Sequence, residues 1–158
     1  MINPEISVVT DYKALTVSSS AFSNEGYIPT RYTCDGLNYN PPLEIAHIPE
    51  EAQSLAIIVD DPDAPKGTWV HWVIWNIPVT RFVKEKSVAG EQGLNDFNQR
   101  NYRGPCPPSG THRYFFKIYV LDTILKLPPD TTKADLEKAM GQHIIGFGEL
   151  IGLYKRED

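Results

Sequence analysis

SLAIIVDDPDAPKGTWVHWVIWNI (Ser54–Ile77) is the stretch whose reading decides the fold. Ser54 to Val59 is a short apolar run that enters the polar, proline-bearing turn Asp60-Asp61-Pro62-Asp63-Ala64-Pro65, the pattern of a buried strand followed by a tight loop. From Trp69 to Ile77 the residues are β-branched and aromatic, which suits a pleated sheet surface. Simple alternation puts Trp69, His71, Val73 and Trp75 on one face and Val70, Trp72 and Ile74 on the other. Because both faces are apolar, this second strand is expected at the centre of a sheet.

Outward from this pair, HRYFFKIYVL (His112–Leu121) gives a third strand, whose alternation gathers His112, Tyr114, Phe116, Ile118 and Val120 on one side. The polar connection from Phe82 to Thr111 is rich in Gly, Asn and Pro and is long for a compact domain, which predicts a binding loop. Near the end, Thr132 and Asp135 have the spacing of a capping box, and Leu136, Ala139, Met140, His143 and Ile144 follow at helical intervals. A helix over Lys133–Ile144 is expected. Three strands apolar on both faces need cover on both, so the class is mainly β: two packed sheets with a short C-terminal helix.

With 158 residues, 41% of them hydrophobic, the chain fits one domain spanning residues 1–158, with residues 1–20 read as a peripheral segment. The formal net charge of −5 and the lack of any basic run argue against nucleic acid as a partner. No apolar stretch approaches the ~20 residues of a membrane-spanning helix, and Met1-Ile2-Asn3-Pro4-Glu5 lacks the basic start and apolar core of a signal peptide, so a cytoplasmic chain without integral membrane contact is expected. Cys34 and Cys106 match no zinc-ligand spacing, and in a reducing compartment they read as two free thiols.

Polar groups able to do chemistry lie at the strand ends: Asp61 after the first strand, His71 in the second, His112 and Tyr114 opening the third. Taken singly, each histidine could be a core residue satisfied by one hydrogen bond, and Asp61 a turn residue bonding its own backbone. Taken together they allow three chemistries. Asp61, His71 and His112 could compose a metal centre. Cys106 or Ser109 could act as a nucleophile with His112 as base, although Pro107-Pro108 and Gly110 match no nucleophile elbow. Or the histidines, the Tyr114 hydroxyl and backbone N–H groups of the Gly104 loop could recognise an oxyanion such as phosphate without reaction.

The blocks DDPDAPKGTWVHWVIWNIP (Asp60–Pro78) and GPCPPSGTHRYFFKIYVLDT (Gly104–Thr123) resemble the signature blocks of the phosphatidylethanolamine-binding proteins, a set that includes the Raf kinase inhibitor proteins. IPTRYTCDGLNYNPPLEI (Ile28–Ile45), the short Lys66-Gly67-Thr68 link and HIIGFGELIGLYKR (His143–Arg156) resemble the bacterial and archaeal YbhB/YbcL-like branch, and the likeness runs from Phe22 nearly to the end. The resemblance implies a sandwich of two antiparallel sheets with a small anion-holding pocket lined by Asp61, His71, His112 and Tyr114, and walled by Pro65, Trp69, Gly104 and Pro105. It also implies a cis bond before Pro65, an approach of Cys34 to Cys106 near the pocket, and a homodimer. Val70 stands where animal members carry the first histidine of a pair, so kinase inhibition is not expected.

The expected function is therefore a non-catalytic, cofactor-free binding module for phosphate or a phosphorylated head group. In it Asp61 accepts a hydrogen bond from one histidine, fixes its tautomer and favours its charged form, so that binding strengthens as pH falls through the histidine range near ~6.5. The alternatives are a protein–protein regulator, such as a serine protease inhibitor or signalling modulator whose pocket receives a phosphorylated or acidic residue, and a metal-dependent enzyme.

Overall fold

Side-chain alternation on the long strands separates two apolar layers. In a computed structural model of the chain, whose described residues are 12–157, the elements in order are β1 (Lys13–Ala14), β2 (Thr16–Ser18), β3 (Gly26–Tyr27), β4 (Leu43–Ala46), β5 (Ser54–Asp61), β6 (Trp69–Ile77), β7 (Phe82–Val83), β8 (Glu91–Gln92), β9 (His112–Leu121), α1 (Lys133–Met140) and β10 (Ile144–Tyr154). The larger sheet runs β1-β10-β9-β5-β6-β8, with β3 also on β10, and the smaller runs β2-β4-β7. Leu55, Ile57 and Val59 of β5, with Phe116, Ile118 and Val120 of β9, meet Val17, Leu43, Ile45 and Val83 of the smaller sheet. Ala56, Ile58, Tyr119 and Leu121 face the other way and are covered by Leu136 and Met140 of α1. Each of these larger aliphatic side chains contributes about 1.5–3 kcal/mol on full burial.

The three strands and the two-sheet class expected from the sequence are present, with two changes in arrangement. The centre of the larger sheet is β5 and β9. β6 lies next to the two-residue edge strand β8, the loop after β8 continues the hydrogen bonding along the edge of β6 through the Gly93 and Asp96 N–H groups, and the Val70, Val73 and Trp75 face of β6 packs with Leu125 and with Leu136 and Met140 of α1. The smaller sheet is antiparallel throughout, but β1 and β3 pair with β10 in parallel, so the larger sheet is mixed.

Helix α1 begins as expected: the Thr132 hydroxyl accepts the Asp135 N–H at 3.3 Å and the Asp135 carboxylate accepts the Thr132 N–H at 3.2 Å. It stops at Met140, short of Ile144, because Gly141 breaks the helix and Ile144 is already paired with Leu121 in the sheet. Residues 12–20 are not peripheral: β1 and β2 join the two sheets, and Leu15 and Val17 are buried. The rest of the expected peripheral segment, residues 1–11, lies outside the described residues. Among the described residues, no helix is long and apolar enough to cross a membrane.

Candidate ligand pocket

Strand alternation alone would place His71 with Val73 and Trp75, under α1. The pairing of β5 with β6 instead slips between Val59↔Trp72 and Asp60↔Val70, leaving His71 without a partner. This is a bulge, which bends a strand and re-aims the extra side chain. Val70 turns to the α1 side with Val73 and Trp75, while His71 joins the face that carries Tyr114. On β5, which keeps its simple alternation, the neighbouring carboxylates point to opposite sides. Asp60 accepts hydrogen bonds from Lys117 at 3.0 Å and from Lys133 of α1 at 2.7 Å, whereas Asp61 faces the pocket.

The pocket is an open cavity of about 300 Å³ at one end of the larger sheet. His112 Nδ1 donates to Asp61 Oδ2 at 2.6 Å, and Asp61 Oδ1 accepts the Asp63 N–H at 2.7 Å, so both carboxylate oxygens are held by the protein. His71 Nδ1 donates to the Arg103 carbonyl at 2.6 Å, which fixes its tautomer and leaves Nε2 as the nitrogen free for the cavity. Burial holds the His71 imidazole below its ordinary value of 6.5, against the opposing pull of the Arg103 carbonyl and of Asp61 and Asp60. Burial, then the neighbouring Asp61 charge, raises Tyr114 far above the phenol range, so its hydroxyl keeps its proton. The rings pack as a unit: His112 stacks on Tyr114 at 6.4 Å between centroids, and His71 meets Tyr114 edge-on at 5.3 Å.

The turn after β5 forms one wall. Arg113 clamps the Asp63 carboxylate with Nε and a terminal nitrogen, each at 2.9 Å, and holds that carboxyl below its usual range. The bond before Pro65 is trans, correcting the expected cis bond. Gly67 N–H closes on the Ala64 carbonyl at 3.2 Å, which puts Pro65 second in a β-turn, where a trans proline fits and no cis bond is needed.

The opposite wall comes from the long loop, templated by buried Asn95: its Oδ1 accepts the N–H groups of Phe97 at 2.9 Å and Gln99 at 3.1 Å, and its Nδ2 donates to the Asn101 carbonyl at 2.7 Å. This sets the Phe97 ring 5.3 Å from His71 and 5.7 Å from Trp69.

Of the residues proposed from the sequence, Asp61, Pro65, Trp69, His71, His112 and Tyr114 line the pocket. Gly104 and Pro105 belong to the wall segment but do not line the cavity. The Gly104 N–H is already committed to Asn38 Oδ1 at 2.7 Å, so it is not an anion donor, and the Pro105 carbonyl accepts the Cys34 N–H at 3.1 Å. Ala64, Lys66, Phe97, Cys106, Pro107 and Pro108 complete the lining and were not proposed as binding residues. The free-thiol expectation is also corrected: Cys34 and Cys106 form a disulfide, because the loop after β3 packs against the pocket wall and brings them within bonding distance. Cys106 therefore has no thiolate to act as a nucleophile, and Ser109 is exposed and not in the lining. Among the described residues, no three His, Cys, Asp or Glu side chains converge as metal ligands, so the triad considered from sequence is not assembled.

The fold is that of the phosphatidylethanolamine-binding proteins. It superposes on the crystal structure of a homologue of that family from Chlamydia trachomatis with a TM-score of 0.87 at 39% identity, covering 92% of this chain and 99% of that one. YbcL of Escherichia coli, described as a member of the mammalian PEBP family, superposes with a TM-score of 0.82 at 27% identity, covering 90% and 99%. The chain belongs to this family: the family model for phosphatidylethanolamine-binding protein matches residues 18–155. Its relatives include UPF0098 proteins of Pyrococcus abyssi, 53% identical over 150 residues (88% of this chain, 84% of that one), and of Methanothermobacter thermautotrophicus, 51% identical over 150 residues (90% and 99%).

Proposed function

We propose that the pocket is a non-catalytic binding site for a small oxyanion, phosphate or a phosphorylated head group. The observation that carries this reading is the contact of His112 Nδ1 with Asp61 Oδ2 at 2.6 Å. It fixes the tautomer and leaves Nε2 for a ligand, while the carboxylate is occupied by the protein rather than turned on the anion. The Tyr114 hydroxyl keeps its proton beside the Asp61 carboxylate, and Lys66 brings a positive charge to the lining. With Cys106 in a disulfide, the cavity lining contains no free thiol or serine hydroxyl for covalent chemistry.

His71 makes the site pH-dependent. Neutral, with its proton on Nδ1, it offers the cavity only a lone pair on Nε2. Protonated, it offers an N–H and a positive charge. Anion binding therefore takes up a proton and strengthens as pH falls below the ordinary imidazole value near ~6.5. Titration calorimetry with inorganic phosphate and with phosphoethanolamine, at about pH 6 and about pH 8 on either side of that value, tests this. Tighter binding at the lower pH is expected; absent binding, or equal binding at both, overturns it. His112→Ala should lose most of the phosphate affinity while the protein stays folded, and unfolding of that variant would mark His112 as a core residue only.

A further inference from the structure

We infer that the Cys34–Cys106 disulfide is a thiol-sensitive strap on the pocket, so that its redox state sets both the order of the wall at residues 104–108 and the anion affinity; the affinity part rests on the reading above. Three of the five residues in Gly104-Pro105-Cys106-Pro107-Pro108 are prolines and donate no hydrogen bond. Of the two remaining donors, the Gly104 N–H goes to Asn38 at 2.7 Å, while Cys106 lines the cavity together with Tyr114. The Pro105 carbonyl accepts from Cys34, and the disulfide joins the same two segments. The wall is thus tied to the 34–38 loop by two hydrogen bonds and one covalent bond, and Cys106 itself lines the cavity. Both cysteines are only half-buried, so a reductant can reach them. A dithiol reduces the bridge by two exchanges: its thiolate attacks one sulfur, the second thiol displaces the mixed disulfide, the protein gains two thiols and two electrons, and the reagent leaves as a cyclic disulfide.

Amide hydrogen exchange read by mass spectrometry, on the full chain with the bridge intact and after reduction confirmed by thiol count, decides the matter together with inorganic phosphate titrations on both forms. Exchange is expected to accelerate in peptides covering residues 30–38 and 102–110 and to stay unchanged in β5 and β9, with phosphate affinity falling ~10-fold, within the usual span of coupling between sites. Cys34→Ser should behave like the reduced form and no longer respond to the dithiol. Unchanged exchange in those two segments overturns the inference whatever phosphate does, as does acceleration across the whole chain, which would make the bridge a staple of the fold rather than of the pocket. Equal phosphate affinity in the two forms overturns the coupling alone. Absence of phosphate binding in the bridged form overturns the anion reading and the coupling with it, while exchange still decides whether the bridge orders the wall.

Discussion

Asp61 Oδ2 accepts the Nδ1 proton of His112 at 2.6 Å across 51 positions of sequence, while its Oδ1 accepts the Asp63 amide at 2.7 Å. One side chain therefore joins the end of β5, the turn that follows it and the start of β9. Hydrogen bonds to a charged group contribute about 1.5–3 kcal/mol each. Asp61→Ala should cost about 3 kcal/mol, or roughly 10 °C in Tm for a chain of this size. Asp61→Asn, which keeps an acceptor oxygen, should cost less. A melting temperature for Asp61→Ala equal to that of the natural protein would show that the carboxylate holds nothing.

His71 gives stability a definite pH dependence. Its folded value is depressed by burial, so as pH falls through ~6.5 the unfolded chain takes up a proton before the native one does. Stability is full above that pH, declines below it, and levels off once the folded ring is also charged. His71→Asn keeps a donor for the Arg103 carbonyl but does not titrate. Urea midpoints at about pH 8 and about pH 5.5, spanning the titration, should therefore fall further in the natural protein than in the variant, and a parallel fall would contradict the assignment.

Asp60, 1% exposed, accepts Lys117 and Lys133 on the α1 side of the sheet. Removing one partner from a buried ionic cluster costs about 3–5 kcal/mol. Asp60→Ala should show a loss near the lower figure in urea unfolding, yet retain phosphate binding, because it faces away from the cavity. Loss of binding in a folded Asp60→Ala protein would mean the two sides of the sheet are coupled.

Two glycines differ in what they forbid. A Cβ on Gly104 would run into the Tyr32 carbonyl oxygen, a backbone atom that cannot turn aside. At Gly67 there is open space, but φ is +107°, a conformation that other residues adopt only under strain. Gly104→Ala should cost about 2–3 kcal/mol by overpacking and Gly67→Ala about 1–2 kcal/mol by strain. Thermal melts that reverse this order would refute the packing of the wall on Tyr32.

The strands and the floor of the pocket were legible because Ser54–Val59 is a bounded apolar run and His112–Leu121 alternates with period 2, and because Asp61, His112 and Tyr114 sit at strand ends where these patterns meet polar residues. The face of His71 was not, since a bulge adds one residue without any mark in the sequence. β10 escaped the residue-level reading because Gly146, Gly148 and Gly152 lower its strand propensity. Their positions follow from tertiary contact instead: a Cβ on Gly148 would meet the Leu15 carbonyl oxygen at 2.6 Å. Phe97 is an isolated aromatic in a polar loop, and only the hydrogen bonds of Asn95 set its place. The family blocks did carry the approach of Cys34 to Cys106, which spacing alone does not encode.

Asp60 and Asp61 also make β5 a ruler that counts residues. A slip by one would carry each carboxylate into the other's compartment and turn Leu55, Ile57 and Val59 out of their layer at the same stroke. Single-residue insertions or deletions between Ser54 and Asp61 are thereby barred, whereas the same change at the exposed Ser109-Gly110 tip alters only the length of a surface turn.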